Sequence, residues 1–77
     1  MTTKYRAAVC TALDGPMAVK VQLLDARTLA ADEVRIAVRA AGVNFPDLLM
    51  TRGGYQLRPD PPFVPGMEVA GDVIEVG

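Results

Sequence analysis

Along most of this chain apolar and polar positions alternate with a period of two, the spacing of a pleated strand with one covered face. Glu33–Ala41 is the clearest case: Val34, Ile36, Val38 and Ala40 share one side, Arg35 and Arg39 the other. The arginine side is expected in water, because isolated arginines are seldom buried. Ala18–Leu24 repeats the pattern, with Val19, Val21 and Leu23 opposing Lys20 and Gln22, and its β-branched residues predict a half-buried strand. Tyr5–Leu13 reads as a first strand with the small residues Ala8, Cys10 and Ala12 on one side. Met67–Val76 reads as the last strand, where Val69, Gly71 and Val73 alternate with Ala70, Asp72 and Ile74. Both of its sides are mostly apolar, which predicts a largely covered strand.

Punctuation separates these runs. Asp14-Gly15-Pro16 is a strong turn signal, and Ala30-Ala31-Asp32 leads into the strand that follows. After Ala41 the period changes and a short helix is predicted. Asn44 can cap it by accepting from backbone N–H groups of the first turn. Pro46 is tolerated there because its missing N–H has no helical partner. Asp47 suits the positive end of the helix, and Gly53-Gly54 can end it in a left-handed C-cap. Arg58–Pro65 then holds Pro59, Pro61, Pro62 and Pro65, a stiff connector expected to lack ladder bonds. The sum is a mainly β fold with a short helix and a barrel-like outline. The strand edge left open at Gly77 implies that partner strands lie outside these residues.

Composition narrows the function classes. With 77 residues, the chain buries only about 60–65% of the surface its unfolded form exposes, so its stability alone is expected to be marginal. A net charge of −1 gives no footprint for nucleic acid or an anionic membrane. No apolar run approaches the roughly 18 residues of a membrane span. The opening Met1–Arg6 and the mixed Ala7–Leu13 do not make a secretory leader, so a cytoplasmic protein is expected. Cys10 is the one cysteine and there is no histidine. No disulfide within the chain and no Cys/His zinc cluster of its own are therefore expected.

Three segments stand in a distinctive order: Ala40-Ala41-Gly42-Val43-Asn44-Phe45-Pro46-Asp47-Leu48, then Arg52-Gly53-Gly54-Tyr55, then the run from Pro62-Phe63-Val64-Pro65-Gly66-Met67-Glu68 to Gly77. Together they resemble the start of the medium-chain dehydrogenase/reductases, and within them the zinc-free NADPH:quinone oxidoreductases. The resemblance covers residues 1–77 as the N-terminal part of a GroES-like (alcohol dehydrogenase-like) catalytic lobe, an incomplete β-barrel with the Rossmann lobe missing. In the zinc enzymes of that superfamily a metal-binding cysteine matches Asn44 and a metal-binding histidine matches Met67. An amide and a thioether are poor substitutes, and Glu68 alone cannot hold catalytic zinc. No metal ligands are therefore expected. The glycine spacing of Gly71–Gly77 is wrong for a phosphate-binding turn and opens no helix.

The resemblance implies roles for particular residues, each beside a plainer one. Asn44 is a cleft residue that hydrogen-bonds cofactor or substrate, and a helix cap; both hold together because a cap uses one lone pair. Asp47 either positions groups at the cleft or offsets the helix dipole. Tyr55 donates a hydrogen bond to a quinone or enone oxygen as hydride arrives, or packs on the proline loop. Phe45 borders a flat cofactor ring or is a core aromatic. Arg52 is expected at the surface, Glu68 as a buried partner of an arginine, and Cys10 in the core. Gly66 and Gly71 are expected at close backbone approaches or bulges.

The resemblance thus implies part of a zinc-independent oxidoreductase that moves hydride from NADPH to a small quinone or activated alkene. The cofactor would be held mainly by the missing lobe, and the full-length protein would be a homodimer. Two rivals stand beside it: an enoyl-thioester reductase of the same superfamily, and a truncated, non-enzymatic GroES-like binding module. The 77-residue chain alone is expected to be inactive.

Overall fold

Strand β1 (Lys4–Cys10) and strand β2 (Val19–Asp25) form an antiparallel hairpin in the computed structural model, which describes residues 3–77. Met1 and Thr2, read above as part of a segment that is no secretory leader, lie outside the described residues. The register runs from Lys4 opposite Asp25 to Cys10 opposite Val19. At the open end Lys4 Nζ meets Asp25 Oδ1 at 2.7 Å in solvent, a contact worth at most about 1 kcal/mol. Period-two alternation turns Ala7 and Val9 inward, and Cys10 beside them is completely buried.

The first strand ends at Cys10, short of the expected Leu13. Thr11 is pulled out of the ladder: its N–H and its hydroxyl both donate to Ala18 O, at 3.0 and 2.8 Å. Cys10 Sγ donates to Ala12 O at 3.1 Å. The chain then turns through Gly15, at φ +88°, into a single 3₁₀ turn, Pro16–Ala18, that the alternation does not reveal. Strand β2 also departs from expectation. Val21 and Leu23 are 72% and 65% exposed, because among the described residues the hairpin has no layer packed on that face.

Strand β3 (Val34–Ala41) pairs antiparallel with strand β4 (Val69–Val76) in a second two-stranded sheet. Two irregularities break the register. Arg39 is the extra residue between the pairs Val38–Gly71 and Ala40–Ala70, and Ile74 the extra one between Val73 and Glu75. The expected unbroken alternation of Val34, Ile36, Val38 and Ala40 is therefore interrupted. Gly71 sits at the first irregularity, where a Cβ would collide with the carbonyl of Ala37. The arginine side lies at the surface but is not simply hydrated. Arg35 Nε reaches Glu75 Oε1 at 2.7 Å and its Nη2 donates to Arg27 O at 2.6 Å, while Arg39 Nε reaches Asp72 Oδ2 at 3.0 Å. Every residue of β4 is exposed, against the covered strand expected, since β3 is its only ladder neighbour among the described residues.

The two sheets do not close into a barrel. The proline-rich connector returns to the first hairpin through one antiparallel bridge, Cys10 N–H to Phe63 O at 2.8 Å and Phe63 N–H to Cys10 O at 3.2 Å. That bridge corrects the expectation of a connector without ladder bonds. Gly15 N–H donates to Thr51 O at 3.0 Å, joining the first turn to the helix. The core is small, with Ala7, Val9, Cys10 and Met50 as its buried apolar residues. Leu48 and Leu49 are only half-buried.

Candidate functional site

Helix α1 (Phe45–Thr51) begins where β3 ends and sets the geometry of the site. Asn44 precedes it in an extended conformation (φ −123°, ψ 168°), the backbone of an N-cap. Asn44 and Asp47 face each other as a capping box, and its firm bond runs from Asn44 N–H to Asp47 Oδ2 at 2.8 Å. The Asn44 side chain faces the Asp47 N–H as the other arm of the box, in a looser approach than a full cap hydrogen bond. Its Nδ2 donates to Glu68 Oε1 at 2.8 Å. The cap expected at Asn44 is thus present, and its shorter bond comes from the Asp47 side. At the other end Gly53, at φ +70°, donates to Met50 O at 3.1 Å and Gly54 N–H donates to Leu49 O at 2.9 Å. This is the left-handed glycine stop that the sequence predicts.

Asp47 is only 6% exposed, and its second oxygen, Oδ1, is buried without a partner. Glu68 is exposed and bonded to an amide, so the expectation of a buried arginine partner is wrong. The arginines of β3, Arg35 and Arg39, are engaged instead with Glu75 and Asp72. Gly42 completes the cluster: a Cβ there would collide with the Glu68 side chain, so the carboxylate lies directly over the Gly42 backbone. Phe45 is 67% exposed, which rules out the core reading within these residues and leaves its ring face open. Arg52 is exposed as expected.

The structure therefore brings Asn44, Asp47 and Glu68 together, with Phe45 adjacent in the chain. Tyr55 is half-buried in the bend after Gly54, and no hydrogen bond among the described residues joins its hydroxyl to this cluster. Glu68 also borders a groove of about 630 Å³ lined mainly by Val38, Val64, Pro65, Met67 and Val69. Another groove, between the first hairpin and the β3–β4 sheet, is lined by Tyr5, Arg6, Arg27, Val34, Arg35 and Ile74 among others and contains none of the expected site residues. The Gly42–Glu68 contact and the Asn44–Glu68 bond were missed by sequence reasoning. A glycine two positions before the cap was the only hint.

The donor set defines what the site can hold. Among the described residues no group of three or more His, Cys, Asp or Glu side chains is placed to bind a metal ion. A nicotinamide-bearing cofactor fits in part. The exposed Asn44 carboxamide and the open Phe45 ring suit its amide-bearing, flat end, and the orphaned Asp47 Oδ1 marks a position with unused acceptor capacity. Its phosphates have no seat here, since no glycine-rich turn opens a helix in these residues. No helix among the described residues is long and apolar enough to cross a membrane.

Residues 30–77 match the alcohol dehydrogenase GroES-like domain. The chain is 48% identical over 73 residues to quinone oxidoreductase-like protein 2 of Mus musculus, covering 95% of this chain and 20% of that protein. It is 40% identical over 77 residues to the synaptic vesicle membrane protein VAT-1 homolog of Danio rerio, covering 99% and 16%. Among solved structures, a probable oxidoreductase from Mycobacterium abscessus superposes with a TM-score of 0.87 at 42% identity, over 92% of this chain and 23% of that one. The quinone oxidoreductase of Thermus thermophilus, solved also in complex with NADPH, superposes with a TM-score of 0.69 at 44% identity, over 90% and 23%. The chain spans about a fifth of the length of the curated relatives it matches.

Proposed function

Because this chain belongs to the alcohol dehydrogenase GroES-like domain family, we propose that it forms part of the substrate-side lobe of an NADPH-dependent, zinc-independent oxidoreductase that reduces a quinone or an activated alkene. The observation that carries the reading is the Asn44 carboxamide. It stands exposed at the mouth of α1, held from behind by Asp47 and from the side by Glu68. Where a zinc enzyme of the superfamily places thiolate and imidazole, the matched positions Asn44 and Met67 offer an amide and a thioether, and the neighbouring Glu68 carboxylate alone cannot hold the metal. Zinc independence is proposed on that donor chemistry, and by the family resemblance the complete enzyme is a homodimer.

When bound, NADPH supplies the hydride. The residues of this chain orient and polarise. Asn44 hydrogen-bonds the nicotinamide half or the substrate, and Phe45 offers its open face to a flat ring. Asp47 fixes the backbone of Asn44, so that the carboxamide is presented without a search over conformations. Tyr55 donates its phenolic hydrogen to the substrate oxygen on which negative charge develops. Removing one such donor typically slows turnover by about 10²–10³-fold.

The test is consumption of NADPH by the native polypeptide that carries this sequence, assayed with a panel of quinones, enones and enoyl thioesters. Turnover with quinones or enones supports the reading. Preference for enoyl thioesters favours the related acyl reductase, and no turnover with any of them overturns it.

A further inference from the structure

We infer that Glu68 is a positioning residue: it sets which end of the Asn44 carboxamide faces a ligand, and so commits Asn44 to a hydrogen-bond donor on the nicotinamide half of the cofactor. The inference rests on the function proposed above and adds a residue to it.

An ionised carboxylate can only accept hydrogen bonds, whereas a carboxamide has a donating end and an accepting end. Since Glu68 Oε1 lies 2.8 Å from Asn44 Nδ2, the amide must present nitrogen to Glu68 and Oδ1 away from it. The other polar atoms of Asn44 are also engaged. Its N–H donates to Asp47 Oδ2 and its backbone oxygen accepts from Asp47 N–H at 3.0 Å. Oδ1 faces the Asp47 N–H across the capping box, which occupies one lone pair at most and leaves the other for a ligand.

Charge reinforces the assignment. Nδ2 retains a second hydrogen, but it sits beside a carboxylate, which repels any oxygen gaining negative charge there. A quinone or enone oxygen has nothing to donate to Oδ1 and is repelled from Nδ2. The nicotinamide half of the cofactor carries suitable donors, in its carboxamide N–H and its ribose hydroxyls. Stabilisation of the reduced substrate oxygen then falls to another donor, for which Tyr55 is the residue in hand. Gly42 is part of the device, because a side chain there would displace Glu68 from its place.

The experiment compares dissociation constants in the native polypeptide for NADPH and for adenosine 2′,5′-bisphosphate, which lacks the nicotinamide half. E68A is expected to weaken NADPH about three- to tenfold, the size of one hydrogen bond held in place, and to leave the bisphosphate within about twofold. E68Q keeps an acceptor for Nδ2 and restores most of the loss. G42A, which dislodges Glu68 without removing it, weakens NADPH in the same direction as E68A. An NADPH analogue with acetyl in place of the carboxamide separates the two donor sources: E68A weakens it as much as NADPH if the ribose is read, and much less if the carboxamide is. Equal NADPH affinity in E68A and wild type, no rescue by E68Q, or equal weakening of both ligands overturns the inference. A wild type that binds the bisphosphate but not NADPH also overturns it. A wild type that binds neither is a different failure, that of the proposed function itself.

Discussion

Asp47 Oδ2 accepts the backbone N–H of Asn44 at 2.8 Å, from a side chain whose other oxygen is buried without a partner. One carboxylate thus closes the first turn of α1 and fixes the residue on which the site is built. D47A removes the acceptor, at a cost of about 0.5–2 kcal/mol for a cap of this kind. Hydrogen exchange at the Asn44 amide is expected to quicken about tenfold, while D47N, which keeps an acceptor oxygen, exchanges closer to the wild-type rate. Unchanged exchange in D47A would show that the cap is made by another group.

Cys10 is completely buried, and its backbone is bridged to Phe63. Its thiol should react with a soluble disulfide reagent only as fast as the first hairpin opens. C10L has no room and is expected to cost about 1–3 kcal/mol by overpacking. Rapid labelling in native buffer would mean that the connector does not cover Cys10 in solution.

Much of this was legible in advance, and the misses share one cause. The strands, the turn at Ala30–Asp32, the helix and its glycine stop follow from local rules that need no partner. The predicted burial of Val21, Leu23 and β4 failed, because alternation tells which residues share a face and not whether anything covers it. The Asn44–Glu68 bond joins residues 24 positions apart, and neither periodicity nor spacing carries such a pairing. The same holds for the Cys10–Phe63 bridge, formed by a proline-rich stretch whose composition argues against ladder bonds. The bulges at Arg39 and Ile74 were equally hidden, except that Gly71 marked the first.

Gly71 offers a direct check on the second sheet. Its missing Cβ is what lets β4 pass the Ala37 carbonyl, and that obstacle is backbone, which cannot swing aside. G71A is expected to destabilise β3–β4 by about 2 kcal/mol or more. Exchange should quicken at Val38 and Gly71 before it does in the first hairpin. Wild-type protection in G71A would contradict the close approach.

A pH dependence follows from Glu33. Its carboxylate takes two hydrogen bonds from the Arg27 guanidinium and one from the Ala30 N–H. These hold its pKa down at about 2, the arginine contributing most. A folded-state pKa below the unfolded value means that the contribution is complete above the ordinary glutamate range of roughly 4.3. It is lost as pH falls through about 2. Unfolding midpoints measured between those limits should fall more steeply in wild type than in E33Q. Parallel curves would mean that the ion pair, which is exposed, is too well screened to register.

The central claim is that these residues serve hydride transfer from NADPH, and isotope transfer tests it most directly. The native polypeptide is given NADPH carrying deuterium at the transferable position of C4, together with an activated alkene, and the reduced product is weighed by mass spectrometry. The account predicts one deuterium bound to carbon in the product. Reduced product without deuterium, or no reduction of any quinone or alkene offered, would contradict it.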